Sequence, residues 1–129
     1  MMKYLPEAQA AELMQHAQAA AAYSYSPYSH FAVGAAVLTT DGTIFNGTNV
    51  ENASYGVTIC AERTALGQAI AQGRRDIVAV AVWSATDTIS PCGACRQYII
   101  EFGRDIVIVF RQEGQVIQRT IGELLPFAF

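Results

Sequence analysis

Apolar residues recur along the chain at two different periods, and these periods predict its helices and strands. An alanine-rich segment from Pro6 to about Ala22 carries apolar residues at helical spacing, which predicts a first helix. The same spacing predicts helices over 60–73 and 92–103, and each of these ends at a glycine, the residue that most often ends helices. A short last helix is predicted over 121–125.

Five runs rich in β-branched and aromatic residues predict strands. Asp41-Gly42 separates the first two and is a strong hairpin signal, whereas the third and fourth are apolar throughout, as in strands buried on both faces. The order of elements predicts one α/β domain over residues 1–129: a three-layer α/β/α sandwich with a mixed five-stranded sheet. The predicted strands are 31–40, 43–50, 76–83, 105–110 and 115–120.

Composition narrows the possible partners and location. Of 129 residues, 52% are hydrophobic and 15% charged, so we expect surplus apolar surface to be buried between subunits. The net charge of -3 and the scattered basic residues argue against a nucleic acid polymer as partner. The chain has no apolar run long enough for a membrane helix and no secretory pattern at its N-terminus, so we expect a cytoplasmic protein.

Three cysteines are the first candidates for chemistry. Cys92 and Cys95 lie three apart where one helix is predicted to begin, and Cys60 lies where another begins. Helix N-termini favour thiolates, so the three sulfurs are expected to bind zinc and leave one of its four positions open. Three alternatives remain: a closed zinc site completed by His16 or His30, redox chemistry at the C-x-x-C pair, and core cysteines without a function.

Glu62 is the candidate proton carrier. Residues two apart on a regular helix face different ways, so Cys60 and Glu62 can share a site only if Cys60 occupies the half-helical first position. The alternative is an ordinary acid in a first helical turn. Arg63 and Arg96 are adjacent to Glu62 and Cys95, and one or both are expected to offset the charge of the sulfurs unless they are merely exposed helix arginines.

Five blocks in order, from about Tyr28 to Phe129, resemble the small, homotetrameric type of cytidine deaminase. They are "SHFAVGAAV", "NVENASYG", "CAERTAL", "SPCGACRQ" and "ELLPFAF". The resemblance implies the cytidine deaminase-like fold and a homotetramer whose active sites are completed by neighbouring subunits. It also implies that Cys60, Cys92 and Cys95 bind zinc, that Glu62 shuttles protons and that Arg63 hydrogen-bonds the sulfurs.

The resemblance further implies a set of substrate contacts. If they had no role in binding, Phe31 would be a core aromatic residue and Asn49 would shape a turn. The implied contacts are Phe31 against the pyrimidine ring, Asn49 and Glu51 at the ribose hydroxyls, the Ala61 N–H at the ring carbonyl, and Tyr55 and Phe129 reaching into the neighbouring subunit's site.

The implied activity is hydrolytic deamination of the free nucleosides cytidine and 2'-deoxycytidine to uridine and 2'-deoxyuridine, with release of ammonia, as in pyrimidine salvage. Zinc-bound hydroxide would attack the ring while Glu62 carries protons. One alternative is a related zinc aminohydrolase acting on a cytosine-like compound such as blasticidin S, against which the ribose-binding character of 49–52 argues. Another is a non-catalytic zinc module that binds partners.

Overall fold

The computed structural model describes residues 3–86 and 88–129, and these form four α-helices and five strands. Every predicted helix and strand is present, and its bounds lie within three residues of the predicted ones. A single 3-10 turn, Tyr55–Val57, precedes the second helix. In chain order the elements are α1 (Glu7–Ala21), β1 (Val33–Thr39), β2 (Ile44–Thr48), α2 (Ala61–Ala71), β3 (Ile77–Ser84), α3 (Gly93–Ile100), β4 (Val107–Gln112), β5 (Gln115–Thr120) and α4 (Ile121–Leu124).

The strands form one mixed sheet in the order β2-β1-β3-β4-β5. β1 is antiparallel to β2 and β3, β3 is parallel to β4, and β4 is antiparallel to β5. Gly42, with a φ of 89°, makes the tight turn between β1 and β2 that the Asp41-Gly42 pair predicts. The parallel step from β3 to β4 is made through α3, and the predicted mixed five-stranded sheet is confirmed.

Helices cover both faces of the sheet, which confirms the predicted three-layer arrangement. α1 packs on one face against alternate side chains of the central strands, including Ala36 and Leu38. α2, α3 and α4 pack on the other face, where the intervening side chains Ala35 and Val37 belong to a second core cluster. β1 is buried along its whole length, so its side chains contribute to the hydrophobic cores on both faces of the sheet.

Gly47 allows α2 to lie unusually close to the sheet. A Cβ atom at Gly47 would lie 2.3 Å from the backbone nitrogen of Ala65, well inside ordinary contact distance. The Thr64 hydroxyl, in the same turn of α2, donates a hydrogen bond to the Thr48 carbonyl at 2.7 Å. Because Gly47 has no side chain, the first turns of α2 can approach β2 this closely.

The helices are short relative to the thickness of a lipid bilayer. α1 has 15 residues, whereas a membrane-crossing helix needs about 20 predominantly apolar ones. Across residues 3–86 and 88–129, none of the helices meets that requirement.

Candidate active site

The three cysteine side chains converge at the N-termini of α2 and α3. Cys60 is the N-cap of α2, with extended backbone angles of φ -74° and ψ 155°, as the sharing of one site with Glu62 requires. Cys92 is the N-cap of α3, and its sulfur accepts a hydrogen bond from the Cys95 backbone N–H at 3.5 Å. The three Sγ atoms all lie within 4.8 Å of one another.

This arrangement fits a zinc ion. Tetrahedral zinc with bonds of about 2.3 Å to sulfur requires sulfur atoms about 3.8 Å apart, and the Sγ atoms of Cys60 and Cys92 are 4.0 Å apart. All three cysteines are free thiols, and thiolates are preferred zinc ligands. Three protein ligands leave the fourth tetrahedral position available to solvent or substrate.

Neither histidine lies where it could close that position. His16 belongs to α1, which packs on the opposite face of the sheet from α2 and α3. His30 lies in the turn before β1, has a left-handed φ of 57° and is close enough to Glu51 to interact with its charge. Within the described part of the chain, no histidine or acidic group joins the cysteines as a possible ligand. The geometry therefore gives no support to a closed zinc site.

Hydrogen bonds stabilise negative charge on the Cys60 sulfur. Donation from the Cys95 thiol, and then from the Arg63 guanidinium, lowers the pKa of Cys60 to about 5. The Arg63 Nη2 lies 3.6 Å from Cys60 Sγ. Pairing with Cys60, together with burial, raises the pKa of Cys95. Cys60 also lies at the N-terminus of α2, where the helix dipole adds to this preference for a thiolate.

The two candidate arginines divide into different roles. Arg63 reaches a cysteine sulfur, whereas the described contacts of Arg96 are all with oxygen atoms. Arg96 donates to the carbonyls of Pro91 and Leu124, both at 2.9 Å, and to the Ser90 hydroxyl at 3.4 Å. Of the two arginines, Arg63 is therefore the one placed to offset negative charge on a cysteine sulfur.

Glu62 is buried beside the cysteines. It lies in the first turn of α2 and only 4% of its surface is exposed, which distinguishes it from an ordinary solvated first-turn acid. Burial is the main reason that its pKa is raised to about 7, and the nearby Cys60 charge acts in the same direction. Glu62 lines the same cavity as Cys60 and Cys92.

That cavity has a volume of about 230 Å³ and combines residues from several segments. The sequence pointed to its cysteines and Glu62, and also to Phe31, Asn49 and Ala61, which line it as well. Several lining residues were missed, although most lie within three residues before a cysteine in the sequence and could have been found from that proximity. The missed residues are Val33, Thr58, Ile59, Ile89 and Ser90.

Asn49 uses most of its hydrogen-bonding capacity within the chain. Its Oδ1 accepts from the Val33 backbone N–H at 3.0 Å and from the Ser24 hydroxyl, and its Nδ2 donates to the Phe31 carbonyl at 2.8 Å. A carboxamide has two N–H donors, so one remains beyond these bonds. Asn49 therefore holds the backbone around Phe31 and the start of β1 in addition to lining the cavity.

Glu51 lies in a neighbouring hollow of about 380 Å³, which shares Thr58 with the cysteine cavity. Its carboxylate accepts hydrogen bonds from the backbone N–H groups of Tyr28 and Ser29 at 3.0 and 3.1 Å, and from the Ser29 hydroxyl. The Ser29 hydroxyl contributes most to lowering the pKa of Glu51. Glu51 is therefore an ionised acceptor that the preceding loop holds in place.

The remaining candidates, Tyr55 and Phe129, do not line the cysteine cavity. Tyr55 lines the hollow that contains Glu51 and is 83% exposed. Phe129 has a fully exposed side chain, and its backbone carbonyl accepts a hydrogen bond from Gln97 Nε2 at 2.8 Å. Ala61, by contrast, is the first residue of α2, where backbone N–H groups have no partner within the helix.

Comparison with known proteins identifies close relatives. The profile described as "Cytidine and deoxycytidylate deaminase zinc-binding region" matches residues 7–111. A cytidine deaminase from Halalkalibacterium halodurans is 50% identical over 109 residues, covering 82% of this chain and 83% of its own. The crystal structure of a cytidine deaminase from Burkholderia pseudomallei superposes with a TM-score of 0.88 at 49% identity, covering 92% of this chain and 98% of that one.

A relative with a different name is more distant. A blasticidin-S deaminase from Bacillus cereus is 35% identical over 106 residues, covering 75% of this chain and 76% of its own. The cysteine triad, the profile match over most of the chain and the level of identity agree with one another. This chain therefore belongs to the family defined by the cytidine and deoxycytidylate deaminase zinc-binding region.

Proposed function

We propose that this chain is a zinc-dependent hydrolase that converts cytidine and 2'-deoxycytidine to uridine and 2'-deoxyuridine and releases ammonia. The observation that carries the proposal is the burial of Glu62 in the cavity that Cys60 and Cys92 also line. Membership of the deaminase family and the high identity to proteins named cytidine deaminase support it. A zinc module without catalytic activity has no need for an acid buried beside an open metal position.

Each residue around the metal has a distinct task in the proposed reaction. Cys60, Cys92 and Cys95 hold the ion, and Arg63 reduces the negative charge that three thiolates would otherwise concentrate there. Zinc held by the three cysteines would supply a water molecule whose pKa is lowered toward about 7. Glu62 would accept a proton from the attacking water and transfer it to N3 of the cytosine ring as the bond between oxygen and C4 forms.

Glu62 then moves a second proton. It takes this proton from the new hydroxyl on C4 and delivers it to the amino group on the same carbon. The C4–N bond breaks, ammonia leaves and the C4 carbonyl of the uracil ring forms. Positioned proton transfer of this kind contributes about 10²–10⁴-fold to the rate.

The substrate contacts are also part of the proposal. Phe31 packs against the pyrimidine ring, and the Ala61 N–H donates to the ring carbonyl. The remaining N–H of Asn49 and the carboxylate of Glu51 bind the ribose hydroxyls. Two hydroxyl-binding groups beside the base cavity suit a free nucleoside, whose 3' and 5' oxygens are not linked to a polymer.

We further propose a single deaminase domain over residues 1–129 that assembles as a homotetramer in the cytoplasm. Tyr55 and Phe129 are highly exposed on the isolated subunit, as side chains that complete a neighbouring subunit's site would be. Free cysteine thiols persist best in a reducing compartment. Sedimentation equilibrium of the zinc-loaded protein tests the tetramer, and a monomer with full activity would contradict it.

The substitution Glu62→Gln tests the activity. We expect the variant to retain one zinc per chain but to lose at least a thousandfold in turnover of cytidine, measured from the fall in ultraviolet absorbance on deamination. Glu12→Gln, an exposed glutamate on α1, is the matched control and should keep wild-type turnover. Stoichiometric zinc with no deamination by the wild type would favour the non-catalytic zinc module.

Blasticidin S is the second candidate substrate, because one relative is named for its deamination. The higher identity to proteins named cytidine deaminase makes it the weaker candidate. Turnover of cytidine, 2'-deoxycytidine, blasticidin S and free cytosine should be compared at equal enzyme concentration. Preference for blasticidin S over both nucleosides would overturn the assignment.

A further inference from the structure

Arg96 joins two separate segments beside the metal site. Its Nε donates to the Pro91 carbonyl at 2.9 Å and its Nη2 to the Ser90 hydroxyl at 3.4 Å, so one side of the guanidinium holds the residues directly before Cys92. Its Nη1 donates to the Leu124 carbonyl at 2.9 Å, at the end of α4. A planar guanidinium presents its donors in fixed directions, so these three contacts hold the two segments in a defined relation.

The segment before Cys92 needs such a contact. Ile89 is held by β-bridge pairing with Arg111, and its N–H donates to the Arg111 carbonyl at 2.9 Å, but regular structure resumes only at α3. Pro91 lies between these points, is fully buried and has no backbone N–H with which to anchor itself. Its carbonyl is the group that Arg96 binds.

The other end of the connection is rigid. α4 begins with a capping box in which the Thr120 hydroxyl accepts from the Glu123 N–H and the Glu123 carboxylate accepts from the Thr120 N–H. The Ile121 side chain is fully buried in the same core cluster as α2 and α3. Leu124 therefore offers Arg96 a fixed acceptor.

We propose that Arg96 is a positioning residue that holds the Cys92 sulfur in register with Cys60 and Cys95 by fixing Ser90 and Pro91 to the end of α4. This role deepens the proposed zinc-dependent function and rests on it. Arg96 acts through the backbone before Cys92, since its described contacts are with oxygen atoms and not with sulfur. Ser90 also lines the cavity, so the same contacts shape the wall next to the metal position.

Cobalt(II) binding tests this role without relying on turnover. The metal-free protein is titrated with cobalt(II), and the sulfur-to-cobalt absorption bands report both affinity and the geometry of the three sulfurs. Arg96→Gln should weaken cobalt binding about 10–100-fold, as loss of groups that orient ligands does, and should shift the bands. Arg96→Lys should lose less cobalt affinity, because an ammonium group can replace one of the guanidinium's hydrogen bonds but not all three.

Arg75→Gln is the matched control, since Arg75 is exposed and its one side-chain hydrogen bond among the described residues is to the Ile70 carbonyl, at 3.4 Å, at the far end of α2. It should bind cobalt within twofold of the wild type, with unchanged bands. In the zinc form, Arg96→Gln should lower kcat for cytidine more than it changes KM. The reason is that the substitution displaces Cys92 more than it displaces the residues proposed to bind the ribose.

Wild-type cobalt affinity and bands in Arg96→Gln would overturn the proposal. If circular dichroism shows that Arg96→Gln is unfolded, Arg96→Lys decides: shifted bands support the role, and unchanged bands overturn it. Loss of folding in both variants also overturns it, because Arg96 would then be needed for the whole fold and not specifically for the position of Cys92. Failure of the wild type to deaminate cytidine would refute the proposed function alone, since the cobalt titration would still report on Arg96.

Discussion

Replacing Gly47 with alanine should push α2 away from β2 and so disturb the site that α2 carries. The added Cβ would lie 2.3 Å from the Ala65 nitrogen, 2.5 Å from the Thr64 hydroxyl oxygen and 2.7 Å from the Ala65 Cα. Ordinary contacts between carbon atoms are about 3.5–4.0 Å, so the helix must retreat by about 1 Å. Its first turn holds Glu62, and its N-cap is Cys60.

The cost of this retreat has two parts. Overpacking at a close contact typically costs about 1–3 kcal/mol. The Thr64 hydroxyl would also lose its 2.7 Å hydrogen bond to the Thr48 carbonyl, which contributes about 1 kcal/mol. Gly47→Ala should therefore lower the free energy of unfolding by about 2–4 kcal/mol. A displacement of about 1 Å in a catalytic group can cost about 10²-fold in rate, so kcat should fall by a similar factor.

Gly67→Ala is a matched control within the same helix. Its Cβ would meet only the Tyr98 hydroxyl, at 3.8 Å, which is an ordinary contact. Alanine is favoured over glycine in a helix interior by about 0.5–1 kcal/mol, so this variant should be more stable than the wild type. Urea unfolding at matched protein concentration and the cytidine assay measure both effects. Unchanged stability and kcat in Gly47→Ala would refute the idea that this close contact positions α2.

Other substitutions probe the cap of α4, the core and a surface ion pair. Thr120→Ala removes the capping hydroxyl and should lower the free energy of unfolding, measured in urea, by about 1 kcal/mol. An unchanged urea midpoint would contradict the capping role. Ile99→Ala leaves a cavity at a fully buried position and should lower the free energy of unfolding by about 2–5 kcal/mol. A smaller decrease would show that the core collapses around the cavity. The Arg74 guanidinium lowers the pKa of both Asp41 and Asp76, so its stabilisation is present above their unfolded pKa of about 4 and is lost as pH falls toward the lower folded values. Wild type should therefore lose more stability than Arg74→Gln between about pH 7 and pH 3, and equal losses in the two proteins would argue against this pairing.

The sequence by itself was sufficient to predict the elements of the fold and the three cysteines that converge where a metal ion could bind. Helix and strand periods are local properties, because they follow from which side chains face the core over a few residues. Gly73 and Gly103 follow the predicted helices with φ of 84° and 147°, as local backbone chemistry requires. The spacing of Cys92 and Cys95 likewise places both sulfurs at one helix start, where the structure has them.

Only the tertiary structure decided how side chains distant in sequence pair with one another. By position alone Arg63 and Arg96 are equivalent candidates, and only the family resemblance favours Arg63; in the structure Arg63 reaches a sulfur, whereas Arg96 binds the backbone before Cys92 and at the end of α4. Asn49 is largely committed to the Phe31 segment, and Glu51 lies in a hollow beside the cysteine cavity. These outcomes depend on the relative placement of whole helices and strands, which packing sets. A hydrogen bond between segments far apart in the chain forms only where that packing brings donor and acceptor into line.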